Sequence, residues 1–181
     1  LHHQENELIK LATENNRQAQ QQIYTHFSPK MLGVCRQYIK DIHQAEDIMI
    51  TAFMKVFVNI KNFENKGSFE GWIRRIMVNE CISFIRVQKK IKYVEDETYF
   101  EESFNNIESQ FSTDDIQSLI DSLPDGYKTV FILYAIEGFK QKEIASMLEI
   151  NEGTSKSQLS HARKMLQIQI NKLKNYEYGT E

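Results

Sequence analysis

The stretch FKQKEIASMLEINEGTSKSQLSHARKML, Phe139 to Leu166, decides the fold of this chain. Its first half places Ile144, Ala145 and Leu148 on one helical face. Its second half repeats at Ser155, Leu159, Ala162 and Leu166, the three-four spacing of an amphipathic helix. Between the halves Asn151 stands where an N-cap is wanted, and Glu152 falls in the first turn, where the helix dipole favours a carboxylate. Two helices joined by about three or four residues make a helix-turn-helix, a unit found in many all-helical proteins with no role on DNA. In others its second helix enters a major groove. The composition of the outer face favours that use. Ser157, Ser160, His161 and Lys164 lie away from the apolar repeat, Lys156 and Arg163 flank them, and no carboxylate occurs from Gly153 to Leu166. Small and basic side chains leave a helix slim enough for a groove about 12 Å wide and give it phosphate partners.

Outward from this unit the chain reads as all-α. It has 181 residues with only two prolines and seven glycines, and no run alternates β-branched with polar residues. The last third predicts helices over 115–123, 127–137, 140–148 and 152–174, with Pro124-Asp125-Gly126 as turn chemistry. The first half predicts a polar helix from Glu5 to His26, with Leu8, Leu11, Ala12, Ala19, Ile23 and Phe27 as candidate buried positions. Ser28-Pro29 reads as the start of the next helix. Further helices are expected over 44–60 and 69–90, separated by the loop FENKGS, Phe63 to Ser68.

Charge divides the chain into three. Residues 1–94 hold 14 Lys and Arg against 9 Asp and Glu, residues 95–115 hold 8 acids and no base, and residues 116–181 hold 8 of each. The organisation expected is two small helical domains, 1–94 and 115–181, joined by an acidic flexible linker over 95–114. Such a run is solvated disorder, or it lies against a basic surface of its own chain or of a partner.

Two N-terminal helices stand out. Over 44–60, Ala45, Ile48, Met49, Ala52, Phe53, Val56 and Ile60 form one apolar face, while Ile50, Met54 and Val58 fall opposite, beside Asp47. A helix apolar all round sits at the centre of a bundle, or it keeps an exposed strip for a partner helix. Over 69–90, Phe69, Trp72, Ile73, Ile76, Met77 and Phe84 suit burial, and Arg74, Arg75, Asn79, Arg86, Lys89 and Lys90 occupy other faces. Cations interleaved with aromatics suit a single-stranded nucleic acid, and equally a solvated helix over a core tryptophan.

Chemistry of other kinds finds no support. Cys35 and Cys81 form no C-x-x-C pair, and the five histidines show no ligand spacing. No Gly-rich phosphate loop and no G-x-S-x-G elbow occur. Glu101-Glu102 lie in the expected linker, where nothing would shift their pKa values. The expectation is a non-enzyme with no cofactor, no metal and no small-molecule substrate. No apolar run has signal-peptide or membrane-spanning length, which predicts a soluble, cytoplasmic protein without membrane insertion.

The segment EIASMLEINEGTSKSQLSHARKML resembles the C-terminal DNA-reading region of bacterial RNA polymerase sigma factors. AEDIMITAFMKVFVNI (Ala45–Ile60) and SFEGWIRRIMVNECISFIR (Ser68–Arg86) resemble, in order, the polymerase-binding and promoter-melting helices of that family. Two domains without a large intervening region resemble its extracytoplasmic-function group. The resemblance implies core RNA polymerase and promoter DNA as partners, with an anti-sigma factor or another recruiting protein besides. Asp47, Ile50, Thr51 and Met54 would dock on the polymerase clamp. The loop Phe63–Ser68, with Phe63, Asn65 and Lys66, would capture a flipped base of the minus-ten element. Trp72, Arg75, Asn79 and Arg86 would hold the non-template strand. Thr154, Lys156, Ser157, Gln158, His161, Arg163 and Lys164 would face the minus-thirty-five element as duplex.

The chain departs from the family pattern at four of these places. Ile50 and Thr51 stand where Gln and an acid are usual, Ser155 where an apolar residue is usual, and Gln158 where Arg is usual. Two rival readings fit the residues without the resemblance: a dimeric helix-turn-helix regulator that acts alone on palindromic duplex, and a sigma-mimicking regulator that binds an anti-sigma protein.

Overall fold

The computed structural model describes residues 2–88 and 112–178, all in helices, turns and connecting loops, and the chain forms two compact units, Leu1–Gln88 and Lys89–Glu181. The expected acidic linker lies almost wholly outside the described residues.

The first unit has four helices: α1 (His2–Thr13), α2 (Arg17–Tyr38), α3 (Ile42–Asn59) and α4 (Phe69–Gln88), with a 3-10 turn at Ile60–Asn62 after α3. α2, α3 and α4 pack against one another, and α1 lies on α2 and the 3-10 turn. Met31, Phe53, Val56, Ile60, Phe69, Ile73, Met77 and Val78 are fully buried between them.

The chain breaks earlier than its prolines suggest. Asn15 takes a positive φ of 63°, and the Asn16 side chain caps α2 by accepting from the amides of Gln18 and Ala19. Pro29 therefore sits inside α2, not at a helix start, and the expected single helix from Glu5 to His26 is two. A proline there removes one backbone hydrogen bond, from position 29 to the Thr25 carbonyl, at a cost of about 3 kcal/mol. The apolar row Ile23, Phe27, Met31, Val34, Cys35 and Tyr38 runs through it buried, and that continuous burial outweighs the lost bond. In α1 the inward position is Ile9, with Leu8 half-buried and Leu11 exposed.

The second unit comprises α5 (Thr113–Asp121), α6 (Asp125–Phe131), a π turn at Ile132–Ile136, α7 (Gln141–Leu148) and α8 (Glu152–Tyr178). Ser112 and Asp115 close a capping box on α5. The expected turn at 124–126 is shorter than its composition suggests, because Pro124 is the N-cap of α6 and Asp125 its first residue. α8 packs on α6, α7 and α5. Val130, Ile132, Leu133 and Ile144 are fully buried, and Leu123, Ala162 and Leu166 form a cluster ringed by Leu119, Tyr127, Phe131 and Met165.

Candidate nucleic-acid interfaces

α7 and α8 form the helix-turn-helix, and its turn is made without glycine. Glu149 adopts the left-handed conformation (φ 57°), and the Ile150 amide donates back to the Ala145 carbonyl at 3.0 Å, closing the end of α7. Asn151 then caps α8, its Oδ1 accepting from the Thr154 amide at 2.6 Å. Ser155, on the apolar stripe, is fully buried and donates its hydroxyl to Gln141 Oε1 of α7 at 2.6 Å. A buried hydroxyl with a partner avoids the penalty of an unsatisfied polar group.

The outer surface of α8 is narrower than expected. Lys164 is exposed, and Lys156, Ser160, His161 and Arg163 are half-buried. Thr154, Ser157 and Gln158, expected to face a duplex, are buried. Thr154 and Gln158 precede buried Ala162 at four-residue intervals, which puts them on the edge of the stripe. The Ser157 hydroxyl donates to the Thr154 carbonyl, within its own helix, at 3.1 Å. Two aromatic rings support the remaining face. His161 stacks on Tyr127, with centroids 5.4 Å apart and planes 16° from parallel, and its buried Nε2 has no hydrogen-bond partner. Arg163 lies over the Tyr134 ring, 5.2 Å from the centroid. Lys156 pairs with Glu152 at 2.8 Å, and the hydrogen bond from that ammonium, with its charge, holds the Glu152 carboxyl below the usual carboxylate range.

In the first unit the loop after the 3-10 turn is shaped by two left-handed residues, Asn65 (φ 55°) and Gly67 (φ 100°). Ser68 ends it, its Oγ accepting from the Gly71 amide at 3.0 Å as α4 begins. Phe63 folds back onto α4, 5.1 Å from Phe69 and 5.6 Å from Trp72, and Trp72 stacks on Phe69 at 5.7 Å and 15°. Phe69 is the buried member, while Phe63 and Trp72 are half-buried, so two aromatic rings reach the surface beside the loop. Asn65 and Lys66 are exposed, with Lys66 bonded to Glu64 at 2.7 Å. Trp72, Arg75, Asn79 and Arg86 follow at helical spacing along α4, and the last three are exposed. The structure thus brings the loop and the start of this row together. The burial expected for Trp72, Ile76 and Phe84 is only partial, and Val78, Cys81, Ile82 and Ile85 fill the α4 interface instead.

α3 resolves the choice between a central helix and a two-faced one. Ala45, Ile48, Met49, Ala52, Phe53 and Val56 are buried, while Ile50 (49% exposed), Met54 (62%) and Val58 (77%) stand in a row on the outside with Asp47 and Thr51. Beside the row a groove of about 390 Å³ runs between α3 and α4, lined by Asp47, Thr51, Glu80, Phe84 and Val87 among others. Lys55 ties the two helices together through Glu80 at 2.7 Å. Among the described residues no cluster of His, Cys, Asp and Glu suits a metal ion, and no helix is long and apolar enough to cross a membrane.

The sequence reading missed Tyr127, Tyr134 and Gln141, the side chains that seat those of α8. The spacing of α8 gave no sign of them, since each belongs to another helix.

Comparison with known proteins places these three sites in one family. The Sigma-70 region 2 model matches residues 23–91, which include α3, the loop and α4, and the Sigma-70, region 4 model matches residues 113–166. The chain is 33% identical over 135 residues to the RNA polymerase sigma factor SigV of Bacillus subtilis, covering 75% of this chain and 81% of that one. It is 30% identical over 180 residues to the ECF RNA polymerase sigma factor SigW of the same organism, covering 91% and 96%. Among solved structures, the sigma factor RpoE of Bartonella quintana, in complex with the anti-sigma factor NepR, is similar in fold, with a TM-score of 0.52 at 23% identity over 83% of this chain and 96% of that one. With both sigma-70 regions present in order and relatives matched over nearly their whole length, the chain belongs to the ECF sigma factors of bacterial RNA polymerase.

Proposed function

We propose that the protein mounts on core RNA polymerase and directs it to a restricted set of promoters, each surface described above taking one part of the task. Asp47, Ile50, Thr51 and Met54 dock α3 on the enzyme. Phe63, Asn65 and Lys66 capture an unstacked base of the melted strand, and Trp72, Arg75, Asn79 and Arg86 carry its backbone along α4. Exposed aromatic rings beside cations suit that task, because bases stack on rings while phosphates meet charge. Lys156, His161, Arg163 and Lys164 meet duplex upstream. Thr154, Ser157 and Gln158 drop out of that set, being buried.

The observation that carries the reading is the outer row of α3. A helix that has already buried one apolar face exposes Ile50, Met54 and Val58 on the other, an arrangement suited to a partner helix. Here Ile50 and Thr51 make the contact with neither the amide nor the acid usual in the family, so it leans on apolar area. Duplex contact is weak in isolation, since residues 116–181 hold as many acids as bases. Mounting both units on one enzyme raises the effective concentration of each contact. The polymerase catalyses; this chain selects where, and it works where the polymerase is, in the cytoplasm. A further partner is an anti-sigma factor, the class of protein bound to the solved RpoE relative.

The test is co-purification with core polymerase, followed by footprinting of the complex on selected promoters. Protection of a minus-thirty-five duplex and an open minus-ten region is expected. Exclusion from core, under conditions where another sigma factor binds, overturns the reading.

A further inference from the structure

We propose that Tyr134 is a positioning residue for Arg163, seating its guanidinium on the flank of α8 where it meets a duplex phosphate. This rests on the proposal that α8 contacts upstream duplex.

Three observations support it. First, Arg163 lies over the Tyr134 ring at 5.2 Å from the centroid, within the range of about 6 Å in which a cation is drawn to a ring face. A ring face engages the guanidinium plane and uses none of its five N–H donors, so the contact orients the group without occupying the edge that binds phosphate. Second, the ring is held in place from below. Tyr134 lies in the π turn, where the Glu137 amide donates to the Ile132 carbonyl at 3.0 Å and the Phe139 amide to the Leu133 carbonyl at 3.0 Å. Ile132 and Leu133 are fully buried, while Tyr134 is 37% exposed, so the widened turn anchors two residues in the core and presents the third at the surface. Third, Arg163 follows fully buried Ala162, which fixes where its stem leaves α8.

The role is distinct from packing. Tyr134 is exposed, so its loss leaves the core intact, whereas an unseated arginine loses a preferred direction and makes its phosphate contact less often.

The experiment uses the full chain reconstituted with core polymerase and a promoter duplex selected by that holoenzyme. Binding is measured across a salt series for Arg163→Gln, Tyr134→Leu, Tyr134→Phe and the double variant Arg163→Gln/Tyr134→Leu. Arg163→Gln should lower the salt slope by about one unit, the value of one phosphate contact. Tyr134→Leu should weaken binding about two- to five-fold and lower the slope in the same direction. Tyr134→Phe, which keeps the ring, should match the parent. The double variant should fall no further than Arg163→Gln alone. If Arg163→Gln lowers the slope while Tyr134→Leu leaves it unchanged, or if the two effects add, the positioning role is overturned and the duplex contact stands. If Arg163→Gln leaves the slope unchanged, the contact by Arg163 itself is overturned, and the role of Tyr134 with it.

Discussion

Replacing Lys128 by Met tests how the second unit is held together. Lys128, in α6, places its Nζ 2.7 Å from Asp121 Oδ1 at the end of α5, and the two side chains are only 4% and 9% exposed. Removing one partner of a buried pair leaves an uncompensated charge, which costs about 3–5 kcal/mol. A unit of this size has a total stability of roughly 3–10 kcal/mol, at 0.05–0.15 kcal/mol per residue. Lys128→Met should therefore unfold a measurable fraction of the second unit at room temperature. Hydrogen exchange of the α6, α7 and α8 amides reads that loss directly. Fluorescence of Trp72, the single tryptophan and a member of the first unit, should keep its denaturation midpoint. The double variant Asp121→Leu/Lys128→Met removes both charges, and replacing a buried pair by apolar groups is often neutral or stabilising. It should recover most of the exchange protection. A loss under about 1 kcal/mol for Lys128→Met, or a double variant as unstable as the single one, would show that the pair is not desolvated and refute the reasoning.

Four further outcomes follow from the geometry. Met54→Asp places a charge on the outer row of α3; it should change stability by no more than about 0.5 kcal/mol, as at other surface positions, while weakening core polymerase binding roughly tenfold or more. Asn79→Ala should retain core binding and impair open-complex formation, read by permanganate reactivity of the minus-ten thymines; normal melting would remove Asn79 from the strand surface. Gly67 has a φ of 100°, and a Cβ added there would meet nothing within 4 Å, so Gly67→Ala meets backbone strain alone and should cost about 1 kcal/mol; a Trp72-monitored midpoint equal to the parent's would count against it. The Asp115 carboxyl is held below its usual value first by the Ser112 hydroxyl and then by the Ser112 amide. Its contribution to α5 is thus present above the ordinary carboxylate pKa and lost as pH falls through the lowered folded value; a carboxyl NMR titration should show that midpoint lowered, and Ser112→Ala should return it toward normal.

The parts of the fold legible in the sequence are those set by local chemistry. The cap at Asn151 and the repeat through Leu159, Ala162 and Leu166 located α8, because both signals lie within a few residues of what they determine. Ser28-Pro29 misled for the converse reason. A proline start signal is local, whereas the row Ile23, Phe27, Met31, Val34 and Tyr38 that keeps α2 continuous takes its energy from α3 and α4. That row, followed through the proline, was the available warning. Apolar residues on both sides of α3 were visible, but which side faces outward depends on where α2 and α4 lie. Lys128 was unreadable as a buried residue, since lysine is seldom buried and its partner, seven positions away, belongs to another helix. At the candidate site, the cations of α8 were legible from spacing. The burial of Thr154, Ser157 and Gln158 was not, because a polar side chain carries no mark of being covered.

The hydrogen bond from Ser155 to Gln141 bears on how such proteins are re-engineered. Promoter choice is an attractive target for exchanging the DNA-reading helix between sigma factors, on the view that it is a detachable cassette. In this chain the helix is keyed to its neighbour: a donor helix with valine at position 155 arrives against a glutamine, and the amide of Gln141 loses its fully buried hydroxyl partner. A graft ending at the turn severs that match, so the smallest exchangeable piece runs from Gln141 onward, with both helices moved together.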